Sequence, residues 1–148
     1  MQAIATWKGG FEAVLEDGRA HSVVVDLPAS EGGHSAGTSA LELCVLSLAG
    51  CITTSFALVA HKRRLSVQGL SVALEAERPK GSPTIARIRG TVRIRTRSES
   101  SEVETTLRQV LRSCPVGVIF ERAQIPVEVG VIVSVPTSSG ALTEASSA

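Results

Sequence analysis

Short alternating runs open the chain. Ala3 to Lys8 and Phe11 to Glu16 each read as a strand, with Gly9-Gly10 between them as a hairpin turn. Asp17-Gly18 signals a second turn, after which Ser22 to Leu27 is a valine-rich strand closed by Pro28. The glycines and small polar residues of 29–38 predict a loop.

From Ser39 the period changes. Ser39 is a fair N-cap and Glu42, three residues on, completes a capping box. Leu41, Leu43, Val45, Leu46, Leu48, Ile52, Phe56, Leu58 and Val59 then make a helix that is apolar on most faces. His61, Lys62, Arg63 and Arg64 put cations at its C-terminal end. A helix of about 25 residues is nearly 38 Å long, enough to cross a bilayer. Glu42, Ser47, Thr53, Thr54 and Ser55 within it, and amphipathic strands on both sides, favour instead a core helix that a second subunit helps to cover.

Val67 to Glu77 reads as the next strand, and Thr84 to Arg97 alternates. Ala86, Ile88, Gly90, Val92 and Ile94 fall on one face; Arg87, Arg89, Arg93, Arg95 and Arg97 fall on the other. An arginine row attracts anions, but its plainer reading is the solvated outer face of a half-buried strand. Acids at Glu102 and Glu104, then Val103, Leu107, Val110 and Leu111, predict a second helix from about Ser98. Pro115 interrupts it, and Val116 to Phe120 begins a short further one. Pro126 to Val135 is a final strand, and Thr137 to Ala148 has little to bury and is expected to be a flexible tail. The order βββ-α-ββ-α-β, without regular βαβ alternation, predicts an α+β domain over 1–136.

The 148 residues suit a single domain. Fifteen basic against fourteen acidic residues give a net charge of +1, and three Phe with one Trp are the only aromatics. Neither the charge nor the aromatic content suits a nucleic-acid binder. There is no phosphate-binding loop, dinucleotide fingerprint or nucleophile elbow. His21, His34 and His61 lie in separate segments without ligand spacing, so neither a metal nor a cofactor is expected. Met1 to Gly10 lacks the basic start and apolar run of a secretory leader, and a reducing cytoplasm is the expected compartment.

The chemistry left is thiol chemistry. Cys44 and Cys51 are two turns apart on the first helix, about 10.5 Å along its axis, too far for a disulfide with each other. Cys114 precedes Pro115, which disfavours the α conformation at Cys114 while suiting the first position of a helix. Cys114 then caps that helix, where free N–H groups favour a thiolate. Cys51, in mid-helix, gains no such help from its own helix and needs a neighbouring cation. Gly50 beside it costs about 1 kcal/mol relative to alanine, and its missing side chain would let another backbone or a substrate approach the sulfur. By residue type alone, each cysteine is also compatible with a small buried hydrophobe.

Leu41-Glu42-Leu43 followed by Leu48-Ala49-Gly50-Cys51 resembles the E-L-x-x-x-x-L-A-x-C segment of the OsmC/Ohr family, osmotically inducible protein C and organic hydroperoxide resistance protein. Ser113-Cys114-Pro115-Val116 resembles its second signature, C-P-V. Lys62-Arg63-Arg64, the strand Val67 to Glu77 with Arg78-Pro79 behind it, and Pro126-Val127-Glu128-Val129 follow in the family's order, so the resemblance spans residues 2 to 135.

The resemblance implies an OsmC-like fold, an intertwined homodimer with active sites at the subunit interface, and thiol-dependent reduction of organic hydroperoxides. It makes Cys51 the attacking cysteine and Cys114 the resolving one, joined in a disulfide that an external dithiol reduces. The capping reading favours Cys114 as the thiolate instead; the two expectations differ. The hydroperoxide branch also uses an arginine from its N-terminal strands, and Arg19 is the only one there, without a motif to mark it. Glu42 lies nine positions before Cys51, about half a turn round the helix, and either holds an arginine or caps the helix. Cys44 has no counterpart in the motif and is expected to pack. The sequence looks closest to the family's general branch. A different class stays open: a non-catalytic dimer that binds a small ligand or senses redox state, with no membrane or nucleic-acid partner.

Overall fold

The computed structural model describes residues 1–136, so the tail expected over 137–148 lies outside the described residues. Two three-stranded sheets and three α-helices make up the α+β architecture. The first sheet is an antiparallel meander of β1 (Ile4–Gly9), β2 (Glu12–Glu16) and β3 (Ser22–Val25). The second joins β4 (Val67–Glu77), β5 (Arg87–Thr96) and β6 (Val127–Ser134), with β4–β5 antiparallel and β5–β6 parallel. Between them in the chain runs α1 (Ala40–Arg63); α2 (Ser100–Ser113) and α3 (Pro115–Arg122) cross from β5 to β6.

The third strand stops short of the Leu27 expected from its valines. Asp26 leaves the ladder, and its buried carboxylate accepts from the Leu27, His34 and Ala36 amides, tying down the glycine-rich loop that follows. The Ala36 amide does most to keep Asp26 ionised, against its burial.

The core lies between the second sheet and the helices. Leu48, Ile52, Phe56 and Ala60 form the buried stripe of α1 and meet Ile88, Val92 and Ile94 of β5 and Val103, Leu107 and Val110 of α2. Apart from Ala60, each such side chain contributes about 1.5–3 kcal/mol by burial. Arg63 fastens α1 to α2 through Thr106 at 3.0 Å and Gln109 at 2.6 Å. The alternation of β5 is largely as expected: Arg89, Arg93 and Arg95, with Arg97 just after the strand, face outward, Arg87 at its start is half-buried, and Arg89 pairs with Glu128 of β6 at 3.2 Å. Ala86, grouped with the inner face, lies just before the strand and is exposed.

Much apolar surface has no cover within the chain. On α1, Leu46 and Leu58 are 56% and 55% exposed, and on the first sheet Trp7 is 72% exposed. The first sheet touches the rest mainly through the Val25–Thr38 bridge. Among the described residues α1 is the one helix long and apolar enough to cross a membrane, and only its Leu48–Ala60 stripe is buried.

Gly90 marks the tightest place in the second sheet. A methyl group there would run into the Ala73 carbonyl oxygen and the Leu74 side chain. Gly90→Ala should therefore lower stability by about 1–3 kcal/mol, read as a fall in the urea midpoint; an unchanged midpoint would show that β4 yields freely.

Candidate active site

The site begins with the start of α1. Ser39 Oγ accepts from the Glu42 amide at 3.3 Å, and the Glu42 carboxylate accepts from the Ser39 amide at 2.7 Å and from the Ser39 and Thr38 hydroxyls at 2.8 and 3.2 Å. The capping box is complete, so Glu42 fastens the start of the helix, and among the described residues of the chain it makes no ion pair with an arginine. The Ser39 amide and hydroxyl together keep Glu42 below the usual carboxylate range, against partial burial. Farther along, the hydroxyls of Thr53 and Thr54 donate back to the Ala49 and Gly50 carbonyls, which satisfies polar groups in an otherwise apolar helix.

Cys51 comes next on this rod, half-buried beside the exposed Gly50. Its partner arrives from the α2–α3 junction. Cys114 closes α2 and caps α3 with φ −62° and ψ 116°, the extended conformation that Pro115 imposes. Its sulfur accepts from the Gly117 amide at 3.4 Å and donates to Cys51 Sγ at 2.8 Å. Sixty-three positions apart in sequence, the two sulfurs are within about 0.8 Å of disulfide bonding distance. Both thiols are free.

The two sulfurs have unlike surroundings. Burial opposes a charge on Cys51, but the proton donated by Cys114, the Val116 amide and the Ser55 hydroxyl at 3.9 Å hold its thiol below the ordinary range. Cys114 is 1% exposed; burial, then its donation to Cys51 and the charge there, push its thiol up despite the amides of α3. The capping reading, which made Cys114 the thiolate, is corrected: the N-terminal end of α3 is shared by both sulfurs, and burial decides between them. A thiol held low and a thiol pushed up therefore stand side by side.

The other expected residues lie elsewhere. Arg19 stands on the β2–β3 turn, donating to Asp17 at 2.8 and 3.0 Å, and is not among the polar partners of Cys51 within the chain. Cys44, expected to pack, is exposed, with its sulfur toward the Ala40 carbonyl at 3.5 Å. A methyl on Gly50 would meet nothing within 4 Å, so the approach over that glycine is open.

On another side, a cavity of about 450 Å³ has Cys114 in its wall. Leu48 and Ile52 of α1, Leu111 of α2 and Val127 and Val129 of β6 give it apolar walls, with Arg112, Glu121 and Gln124 supplying polar groups.

The model of the family described as OsmC-like protein matches residues 32–130, which include α1, both cysteine motifs and the first half of β6. The chain belongs to this family. Among curated proteins, none matches the sequence. Solved structures share the OsmC-like fold. An OsmC-like protein from Mycoplasma pneumoniae is 15% identical with a TM-score of 0.75, covering 92% of this chain and 96% of its own. Organic hydroperoxide resistance proteins from Legionella pneumophila and Elizabethkingia anophelis are 19% and 16% identical, with TM-scores of 0.69 and 0.70. They cover 88% and 90% of this chain and 96% and 97% of their own.

Within this OsmC-like site, sequence reasoning missed Ser55 and the amides of Val116 and Gly117. Ser55 follows Cys51 by one helical turn, a spacing that places the two side by side. The Cys-Pro step already marked where free amides would lie.

The hydrogen bond between the thiols sets a titration. In a Cys44→Ser background, thiolate absorbance should rise with a first midpoint below that of an unperturbed cysteine. Cys114→Ala removes the donor and should move that midpoint upward. A midpoint that stays in place would show that Cys114 does not hold the Cys51 charge.

Proposed function

We propose that this chain is a thiol-dependent peroxidase that reduces organic hydroperoxides. The observation that carries the reading is the 2.8 Å contact between Cys51 and Cys114, with Cys51 the more readily ionised sulfur. The Cys51 thiolate attacks the distal peroxide oxygen and the O–O bond breaks. The alcohol leaves with a proton for which Cys114 is the nearest donor, and Cys51 becomes a sulfenic acid. Cys114, now a thiolate, attacks that sulfur; the S–O bond breaks, the hydroxide that leaves takes a proton from solvent to become water, and a Cys51–Cys114 disulfide forms over a sub-ångström approach. An external dithiol restores both thiols by exchange. Glu42 contributes by fixing the start of the helix that presents Cys51.

A homodimer completes this reading. The exposed Leu46 and Leu58 of α1, Trp7 of β1 and Phe11 of the β1–β2 turn are the surface that a second copy would cover. The same copy would bring its first sheet, with Arg19, toward Cys51 and supply the cation that the chain itself does not. Burial between two copies, in a reducing cytoplasm, also accounts for the apolar face of α1 without a membrane.

Hydroperoxide consumption tests the assignment. With cumene hydroperoxide and excess dithiol, Cys51→Ser should lose activity by several orders of magnitude. Cys114→Ser should still oxidise once but form no intrachain disulfide. Equal turnover by Cys51→Ser and wild type would remove the proposal. The cavity favours one alternative, a small-ligand-binding or redox-sensing dimer; that reading expects a retained ligand in native mass spectrometry and no turnover.

Arg19→Ala separates activation from folding. If Arg19 serves Cys51 across the dimer, the hydroperoxide rate constant falls by about tenfold or more while the dimer persists in sedimentation. An unchanged rate would leave Arg19 as only the turn partner of Asp17.

A further inference from the structure

Ser55 uses its hydroxyl differently from its neighbours on α1. The Thr53 and Thr54 hydroxyls donate to the Ala49 and Gly50 carbonyls at 2.8 and 2.9 Å, the usual resort of a hydroxyl inside a helix. The same habit would send Ser55 to the Cys51 carbonyl. Its partner among the described residues is instead the Cys51 sulfur, at 3.9 Å. A hydroxyl and a bare sulfur so far apart bind weakly. The separation suits the sulfur after it has gained an oxygen. An oxygen bonded to Cys51 Sγ and bent toward Ser55 by an ordinary valence angle would lie about 2.7–2.8 Å from the hydroxyl, the preferred length of an O–H···O bond. We infer that Ser55 is a catalytic residue for the second half of the reaction: its hydroxyl holds the oxygen that Cys51 acquires and donates to it as the disulfide with Cys114 forms. The inference rests on the peroxidase reading, which supplies the Cys51 sulfenic acid.

The surroundings fit that role. Ser55 follows Cys51 by four positions, so the helix sets the two side chains next to each other. The fully buried Ile52 and Phe56 fix that stretch of α1 against the core. Ser55 is half-buried, as Cys51 is, so its hydroxyl keeps room to turn. Cys114, 2.8 Å from Cys51, is the nucleophile of this step and has already given up its proton, so it is no longer a donor. The Val116 amide is the other donor to Cys51, but it is held in the backbone of α3. Ser55 can rotate about its Cα–Cβ bond and follow the oxygen as it departs.

The Cys114 thiolate attacks Cys51 Sγ, and the S–O bond breaks with its electron pair going to oxygen. The oxygen leaves as hydroxide and takes a proton from solvent. Ser55 loses no proton; it supplies a hydrogen bond. That bond is weaker to the neutral sulfenic oxygen than to the departing one, where charge develops. It therefore lowers the barrier to disulfide closure instead of trapping the intermediate.

The experiment uses the full chain with Cys44→Ser, so that Cys51 and Cys114 are the only thiols left. Equimolar hydrogen peroxide or cumene hydroperoxide is added in the presence of dimedone. The Cys51–dimedone adduct and the Cys51–Cys114 disulfide are then counted by peptide mass spectrometry. Their ratio compares closure with trapping, whatever the rate of the first oxidation. The trapping constant of each form, measured in a Cys114→Ser background, corrects the ratio for changes in access. Ser55→Ala should raise the corrected adduct-to-disulfide ratio by about tenfold. Alanine suits a helix interior, so α1 is kept. Ser55→Thr retains a hydroxyl and should stay within about threefold of wild type. A change of less than about threefold in Ser55→Ala would overturn the proposal, as would Ser55→Thr behaving like Ser55→Ala. Should cumene hydroperoxide give neither product where hydrogen peroxide gives both, the organic hydroperoxide reading falls while the ratio still decides the part played by Ser55.

Discussion

The site depends on a single hydrogen bond, from Cys114 to Cys51, and on the peptide junction that aims it. Pro115 keeps Cys114 out of the helical conformation, so α2 must end there and α3 must begin one residue later. A helix that starts at a proline leaves its next amides free. Those of Val116 and Gly117 converge on the two sulfurs instead of on water. The rest of the scaffold holds this junction against the middle of α1. The buried Leu48 and Ile52 flank Cys51 in sequence, and Arg63 fixes the far end of the helix to α2. A small rotation of either helix would lengthen the contact.

The asymmetry itself comes from depth. Both sulfurs receive help from the same helix end, so the dipole alone does not choose between them. Cys114 is enclosed, and a charge there would lie in low dielectric beside a second sulfur 2.8 Å away. Cys51 is only half-enclosed and has a donor in Cys114. This is why reading Cys114 as an N-cap was sound and reading it as the thiolate was not. The cap is a local property of Cys-Pro, whereas burial and the second sulfur belong to the tertiary fold.

The same division runs through the whole chain. Features written within four or five residues were legible: the Ser39–Glu42 box, the inward and outward alternation of β5, and the break at Pro115. Asp26 was not, because its carboxylate binds amides up to ten positions away, and that distant bonding ends β3 early. Nor was the ion pair of Arg19 with Asp17, although the two lie two residues apart, since a charged side chain on a turn can reach in several directions. Of the site, the pairing of Cys51 with Cys114 was legible only through resemblance; no periodicity joins residues 63 apart.

The mismatch between α1 and its surroundings explains why its sequence permits two readings. A helix apolar on all sides needs cover on all sides. Here one stripe is covered by β5 and α2, while Leu46 and Leu58 project from the opposite side. The first sheet has a corresponding excess, with Trp7 and the turn residue Phe11 exposed and little contact with the remainder of the chain. Two unsatisfied apolar surfaces on separate elements are what an intertwined pair of chains would resolve, each copy's sheet and helix serving the other. A bilayer would cover the helix but would leave the sheet, with its exposed tryptophan, unexplained. The geometry of Cys51 fits the first solution better. A thiol facing lipid would gain no stabilisation for its charge, whereas a thiol at a protein interface can be given an arginine, a narrow opening and a proton donor in one place.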